Sequence, residues 1–194
     1  MSLEMQVFVP TVDDLLIQKW VERLNSLEMT CEIHPEFSFA THTGFLPFKV
    51  VLKKPKHEKM LGNEYLTGFE FYLSDFDLKK EVDAITPRLS ILDRLKGKKA
   101  EPVYFASREI DARLISCKKV ISCVWGSADT LELRMATLSA AILAELTDGV
   151  FAYPADNCWY TERGEVERVL KEAETYEASI KPSQLRLHKF EKWQ

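Results

Sequence analysis

Glycine is sparse and solitary in this chain. Its seven glycines, Gly44, Gly62, Gly68, Gly97, Gly126, Gly149 and Gly164, never fall into a Gly-x-Gly or Walker spacing. A phosphate cradle of close-set backbone amides is therefore missing, and no nucleotide cofactor is expected. Long apolar runs are missing too: nothing approaches the ~18 residues a membrane span requires, and no charged start leads into an apolar stretch. Membrane insertion and secretion thus lack support. A positive excess is also lacking, since the net charge is -4, whereas nucleic-acid binders need cations to displace the counterions of the phosphate backbone. The basic runs Lys53, Lys54, Lys56, Lys59 and Arg94, Lys96, Lys98, Lys99 surround proline or glycine and read as solvated loops.

Cysteine is limited to Cys31, Cys117, Cys123 and Cys158, widely spaced, with no Cys-x-x-Cys pair. Three of them sit in apolar patterns, so buried reduced thiols and a cytoplasmic location are the expectation. Cys31-x-x-His34 has ligand-like spacing, but residues three apart on a strand face opposite ways, so no metal site is expected. A Gly-x-Ser-x-Gly elbow is absent, and Cys158, beside Asp156, has no histidine near it in sequence to serve as a base.

What is present is a globular balance of 46% hydrophobic, 11% aromatic and 29% charged residues over 194 positions, which fits one folded core. The expected organisation is a single α+β domain over residues 1–194. Residues 1–4 are expected to be loose or a cloning remnant, and 182–194 to form a docking tail. Leu15, Leu16, Trp20, Val21, Leu24 and Leu27 recur at helical spacing behind Thr11-x-x-Asp14, a capping pattern. Cys31, Ile33, Phe37 and Phe39 alternate as a strand bent at Pro35, and further strands are expected at Leu46–Leu52, Phe69–Leu73, Val103–Ala106 and Leu114–Trp125. Helices are expected over Asp77–Ile85, around Leu89, Leu92 and Leu95, over Leu131–Leu146 behind Ser127 and before a left-handed stop at Gly149, and over Thr161–Tyr176. A hairpin is expected at Val150–Tyr160. The predicted architecture is a largely antiparallel or mixed sheet with amphipathic helices packed on it. Strand, cap, helix and strand follow one another twice, at Val7–Ile33 and Val120–Tyr153. Two β-α-β units would explain this, although so common a motif also recurs by chance.

Two groups of residues invite a functional reading. A strand would present Glu32, His34 and Glu36 side by side, with His42 a few residues on; carboxylates beside an imidazole can tune it as a base. The competing account is an ordinary polar strand face. Tyr153, Asp156, Asn157, Trp159 and Tyr160 at the hairpin, with Phe190 and Trp193 in the tail, have the rigid amphipathic character of partner-binding anchors. Most of these rings are equally explained as core. In size, acidity and aromatic-rich α+β make-up the chain resembles small bacterial binding proteins of the immunity or accessory type. The leading expectation is accordingly a non-enzymatic module binding another protein or itself as a homodimer. The alternative is a small-ligand binder or hydrolase-type enzyme using Glu32, His34 and Glu36.

Overall fold

In the computed structural model, residues 3–87, 102–126, 128–161 and 164–193 are described. The sequence readings at Leu89, Leu92 and Leu95, at Arg94–Lys99 and at Ser127 lie outside them. The strands are β1 Leu3–Val9, β2 Met29–Ile33, β3 Gly44–Leu52, β4 Tyr65–Asp75, β5 Lys119–Trp125, β6 Val150–Tyr153, β7 Cys158–Tyr160 and β8 His188–Lys189. The helices are α1 Leu15–Asn25, α2 Leu78–Ile85, α3 Arg108–Leu114, α4 Glu132–Thr147 and α5 Glu165–Ser179. The sheet runs β2-β3-β4-β5-β1-β6-β7, with β8 added beside β4, and the pairs are antiparallel. This is an α+β fold.

Alternation along the strands assigns each face its cover. Val7 and Val9 join the large core with Trp20, Leu24, Phe48, Phe69 and the apolar stretch of α4, while Phe8 between them joins a second cluster with Phe76, Leu114, Val150 and Ala152. Helix α4 packs on β1, β4, β5 and β6 and is flanked by α1 and α5. Its positions from Arg134 to Ala144 are all buried, because it has sheet on one side and helices on the others. Trp20 of α1 packs among Phe37, Phe39 and Phe48 at ring separations of 5.9, 6.0 and 5.6 Å.

Several sequence expectations change. Leu3 and Glu4 are not loose: they pair with Trp125 and Val124 in the central ladder. β2 stops at Ile33, and Phe37 and Phe39 are buried from a turn-rich segment that Asp14 fastens by accepting the amide of Phe39 at 2.8 Å. Asp14 consequently does not cap α1; Asp13 accepts the amide of Leu15 instead. Residues 103–106 form no strand, the strand expected from Leu114 begins only at Lys119, and α3 stands between, started by Ser107, whose hydroxyl accepts from the amide of Ile110. The left-handed residue ending α4 is Asp148, at φ 51°. Gly149 serves a different need, since a Cβ there would lie 2.5 Å from the carbonyl oxygen of Phe8. The two β-α-β units also resolve differently. β1 and β2 are separated by three strands, whereas β5 and β6 flank β1, giving a split unit with β1 in its middle.

Candidate functional site

The site begins with an interruption in the sheet. β4 pairs with β5 only over Glu70–Asp75 and with β8 only over Tyr65–Leu66. Among the described residues, Thr67, Gly68 and Phe69 therefore face no strand on that side. Parity decides which peptide group meets the opening. The carbonyl of Glu64 accepts from the amide of Phe190, so the alternate residues Leu66, Gly68 and Glu70 turn their peptide groups the same way. Gly68 is required for a second reason: a Cβ would meet the carbonyl oxygen of Leu46 at 2.1 Å and the ring of Phe45 at 2.9 Å. Phe45, 47% exposed, lies across it.

β5 ends at Trp125, and Asp129 and Thr130 lead into α4. Thr130 is clasped to the C-terminal tail by two hydrogen bonds, its amide to the carbonyl of Arg186 at 2.8 Å and the amide of Arg186 to its hydroxyl at 2.9 Å. Between β4, this helix entry and the tail lies a cavity of about 580 Å³ lined by Phe45, Leu66, Thr67, Gly68, Asp129, Glu132, Leu187, His188, Lys189, Glu191 and Lys192. That volume is within the usual range of small-molecule sites.

Asp129 is the unusual group. It is 7% exposed, and one oxygen, Oδ1, accepts both the amide of Leu131 at 2.6 Å and the hydroxyl of Thr67 at 3.1 Å. The other, Oδ2, is covered and has no hydrogen-bond partner among the described residues. Burial pushes its carboxyl up to about 6, against the opposing pull of the Leu131 amide, Thr67 and the charge of His188. Glu132 beside it accepts the amide of Gly126 through Oε2 at 2.9 Å. A buried carboxylate with a free oxygen strongly attracts a donor or a cation, because little solvent competes for it.

The residues singled out in sequence are partly reunited next door. His34, Glu36 and His42 line a hollow of about 240 Å³ with Phe45, Pro47 and Leu66, and Phe45 and Leu66 also line the larger cavity. His34 accepts the amide of Glu36 through Nδ1 at 3.2 Å, and its ring meets Trp193 edge-on at 5.3 Å. His42 lies between Phe37 and Phe71, with Nε2 buried and, among the described residues, unpartnered. Glu32 is not part of this hollow, since it pairs with Lys49 at 2.5 Å on the cross-strand register. Among the described residues no three His, Cys, Asp or Glu side chains are placed to hold a metal ion, and no helix is long and apolar enough to cross a membrane.

The hairpin and tail aromatics are largely engaged within the chain. Trp159 stacks on Phe8 at 5.6 Å and donates through Nε1 to Asn157 Oδ1 at 3.1 Å. Tyr160 stacks on Phe151 at 4.4 Å beneath the Arg168 guanidinium, and Tyr153 stacks on Trp125 at 6.3 Å. Phe190 takes Lys49 over its ring at 5.3 Å and meets Trp193 at 5.0 Å, which lays the tail on its own sheet. Asp156 and Asn157 remain exposed at the turn, Asn157 at φ 51°. Tyr153, Asp156 and Tyr160 border a hollow of about 300 Å³ whose other walls include Trp125, Thr137 and Val169.

Sequence reasoning placed the start signal of this helix at Ser127 and passed over Asp129, a lone acid beside a helix start with no partner visible in sequence. Its bond to the amide of Leu131 closes a local turn just ahead of α4, whose cap position Leu131 has no side-chain hydrogen bond; the burial arises from β4 and from the tail, both remote in sequence. Comparison with family models, curated proteins and solved structures finds no match to this chain.

Proposed function

We propose that the protein binds a small ligand in the cavity between β4, the start of α4 and the C-terminal tail. The observation that carries this reading is Asp129. A carboxyl group kept buried with one oxygen unsatisfied lowers the stability of the fold, and such groups concentrate where a ligand or a reacting proton is handled. The interrupted ladder at Gly68 and the aromatic wall of Phe45 support it, since together they offer polar backbone and a flat apolar surface in one recess. The adjoining hollow of His34, Glu36 and His42 extends the recess along the same face of β3. Screening a metabolite library against the full chain by thermal shift tests the reading. Compounds that raise Tm for the parent chain and not for Asp129→Asn support it, and a library without a single Asp129-dependent compound overturns it.

A second reading, a module that binds a protein partner, draws on the hairpin. Asp156 and Asn157 project from its turn beside the hollow walled by Tyr153 and Trp125, a polar tip next to an apolar recess of the kind that seats a partner's side chain. Asp156→Arg together with Asn157→Arg would then abolish stoichiometric capture of a partner from native lysate, and unchanged capture would count against it.

A further inference from the structure

The cavity has an acidic inner wall and a mixed-charge rim. Asp129 and Glu132 stand at the inner wall, where the helix entry meets Thr67. At the rim the tail contributes Lys189 and Lys192, both exposed and, among the described residues, without an ion-pair partner. Apolar surface from Phe45 and Leu66 lies along the same cavity. Other cations near this sheet are already engaged: Lys49 pairs with Glu32 and Glu64, and Lys56 with Glu174.

Resting on the ligand-binding reading above, we infer that the cavity takes a small molecule with an amine at one end and an acid at the other, joined by a flat apolar body. The ammonium meets the free oxygen of Asp129, with Glu132 reinforcing the negative potential, and a charge-assisted hydrogen bond there is strong because solvent is excluded. The apolar body covers Leu66 and stacks on Phe45. The acid end reaches Lys189 and Lys192, where screening by salt makes the contribution smaller. Glu191 also borders the cavity. It opposes a ligand that carries acid groups alone, which adds selectivity for the mixed charge pattern.

The test is calorimetric titration of the full chain with three probes of one shape: phenylalanine, phenethylamine, which lacks the acid, and 3-phenylpropanoate, which lacks the amine. Phenylalanine is expected to bind most tightly, phenethylamine more weakly and phenylpropanoate weakest. Asp129→Asn is expected to weaken both amines by about tenfold or more, the loss of one charge-assisted bond, and Glu132→Gln to weaken both by a few-fold, the loss of its share of the negative potential. Lys189→Gln with Lys192→Gln weakens phenylalanine alone, by a few-fold. Unfolding melts of each variant verify that it is folded, and Glu132, half-exposed, offers a second route should Asp129→Asn be disturbed. Phenylpropanoate binding as tightly as phenethylamine, or amine affinity unmoved by both acidic variants, overturns this inference while leaving a ligand site in place. If no probe binds, this inference fails, and the ligand-binding reading falls with it only if the metabolite library also yields no Asp129-dependent compound.

Discussion

The side-chain amide of Asn25 holds both peptide groups of Cys31, accepting from its N–H at 2.6 Å and donating to its carbonyl at 3.2 Å. Among the described residues β2 is an edge strand, paired only with β3. The amide of His34 reaches back to Pro47 on the β3 side, so by alternation Cys31 points to the open side. Asn25 therefore stands where another strand would dock, a local means of closing a sheet edge.

Asn25→Ala removes both hydrogen bonds and uncovers the edge. The expected result is a loss of about 1–2 kcal/mol in urea unfolding and concentration-dependent self-association on sizing. A variant that stays monomeric with unchanged stability refutes the edge-closing role.

Arg134 on α4 and Glu177 on α5 form a two-pronged ion pair at 2.7 and 2.8 Å, with side chains 5% and 1% exposed. Removing one partner strands a buried charge, whereas replacing both with apolar groups removes the desolvation penalty as well. Glu177→Leu is expected to lower stability by about 3–5 kcal/mol, and Arg134→Met with Glu177→Leu to recover most of that loss. Equal losses in the single and double variants would show that packing, not charge, is what the pair supplies.

Elements whose sequence period matches their burial were legible. Leu16, Trp20 and Leu24 mark α1 because one stripe of that helix meets the core, and the apolar stretch of α4 marks a helix covered on several sides. Legibility failed where burial is set by distant chain. Phe37 and Phe39 continue the alternation of β2, yet they are buried from turns because Trp20 supplies the contact that a strand face would otherwise provide. α3 falls between the strands expected at Val103–Ala106 and Leu114–Trp125, and its start signals are the Ser107 cap and Asp111, which accepts the amides of Phe105 and Ala106. The site followed the same rule. His34, Glu36 and His42 are close in sequence and could be grouped; Asp129, Gly68 and His188 are assembled only by the register of β4.

Thiol reactivity offers a check on the core. Burial pushes the Cys31 thiol up to about 12 and raises those of Cys123 and Cys117, while Cys158 is half-exposed beside the hairpin turn. Since the thiolate is the reacting species, one thiol is expected to react promptly with an aromatic disulfide reagent in the native protein and all four in urea. Prompt native labelling of Cys31 or Cys123 would contradict their burial.

Asp129 sets a pH dependence of unusual sign. Its carboxyl is held at about 6 in the fold against 3.8 ordinarily, so the folded chain binds this proton more tightly than the unfolded one. The stability this represents is fully present below about pH 4 and is lost as pH rises through 6; a two-unit shift is worth about 3 kcal/mol. The paired carboxylates Asp75, Glu28 and Glu167 are shifted the other way, by Lys119, Lys54 and Arg23 respectively, and favour the fold as pH rises. Comparing the parent chain with Asp129→Asn cancels them. Asparagine keeps an acceptor for Leu131 and Thr67 and does not ionise, so the variant is expected to gain about 2–3 kcal/mol on the parent between pH 4 and pH 7, measured by urea unfolding across that range. A stability difference that stays constant with pH would mean that Asp129 ionises in the fold as freely as in water and is not a carboxyl held in reserve for a ligand.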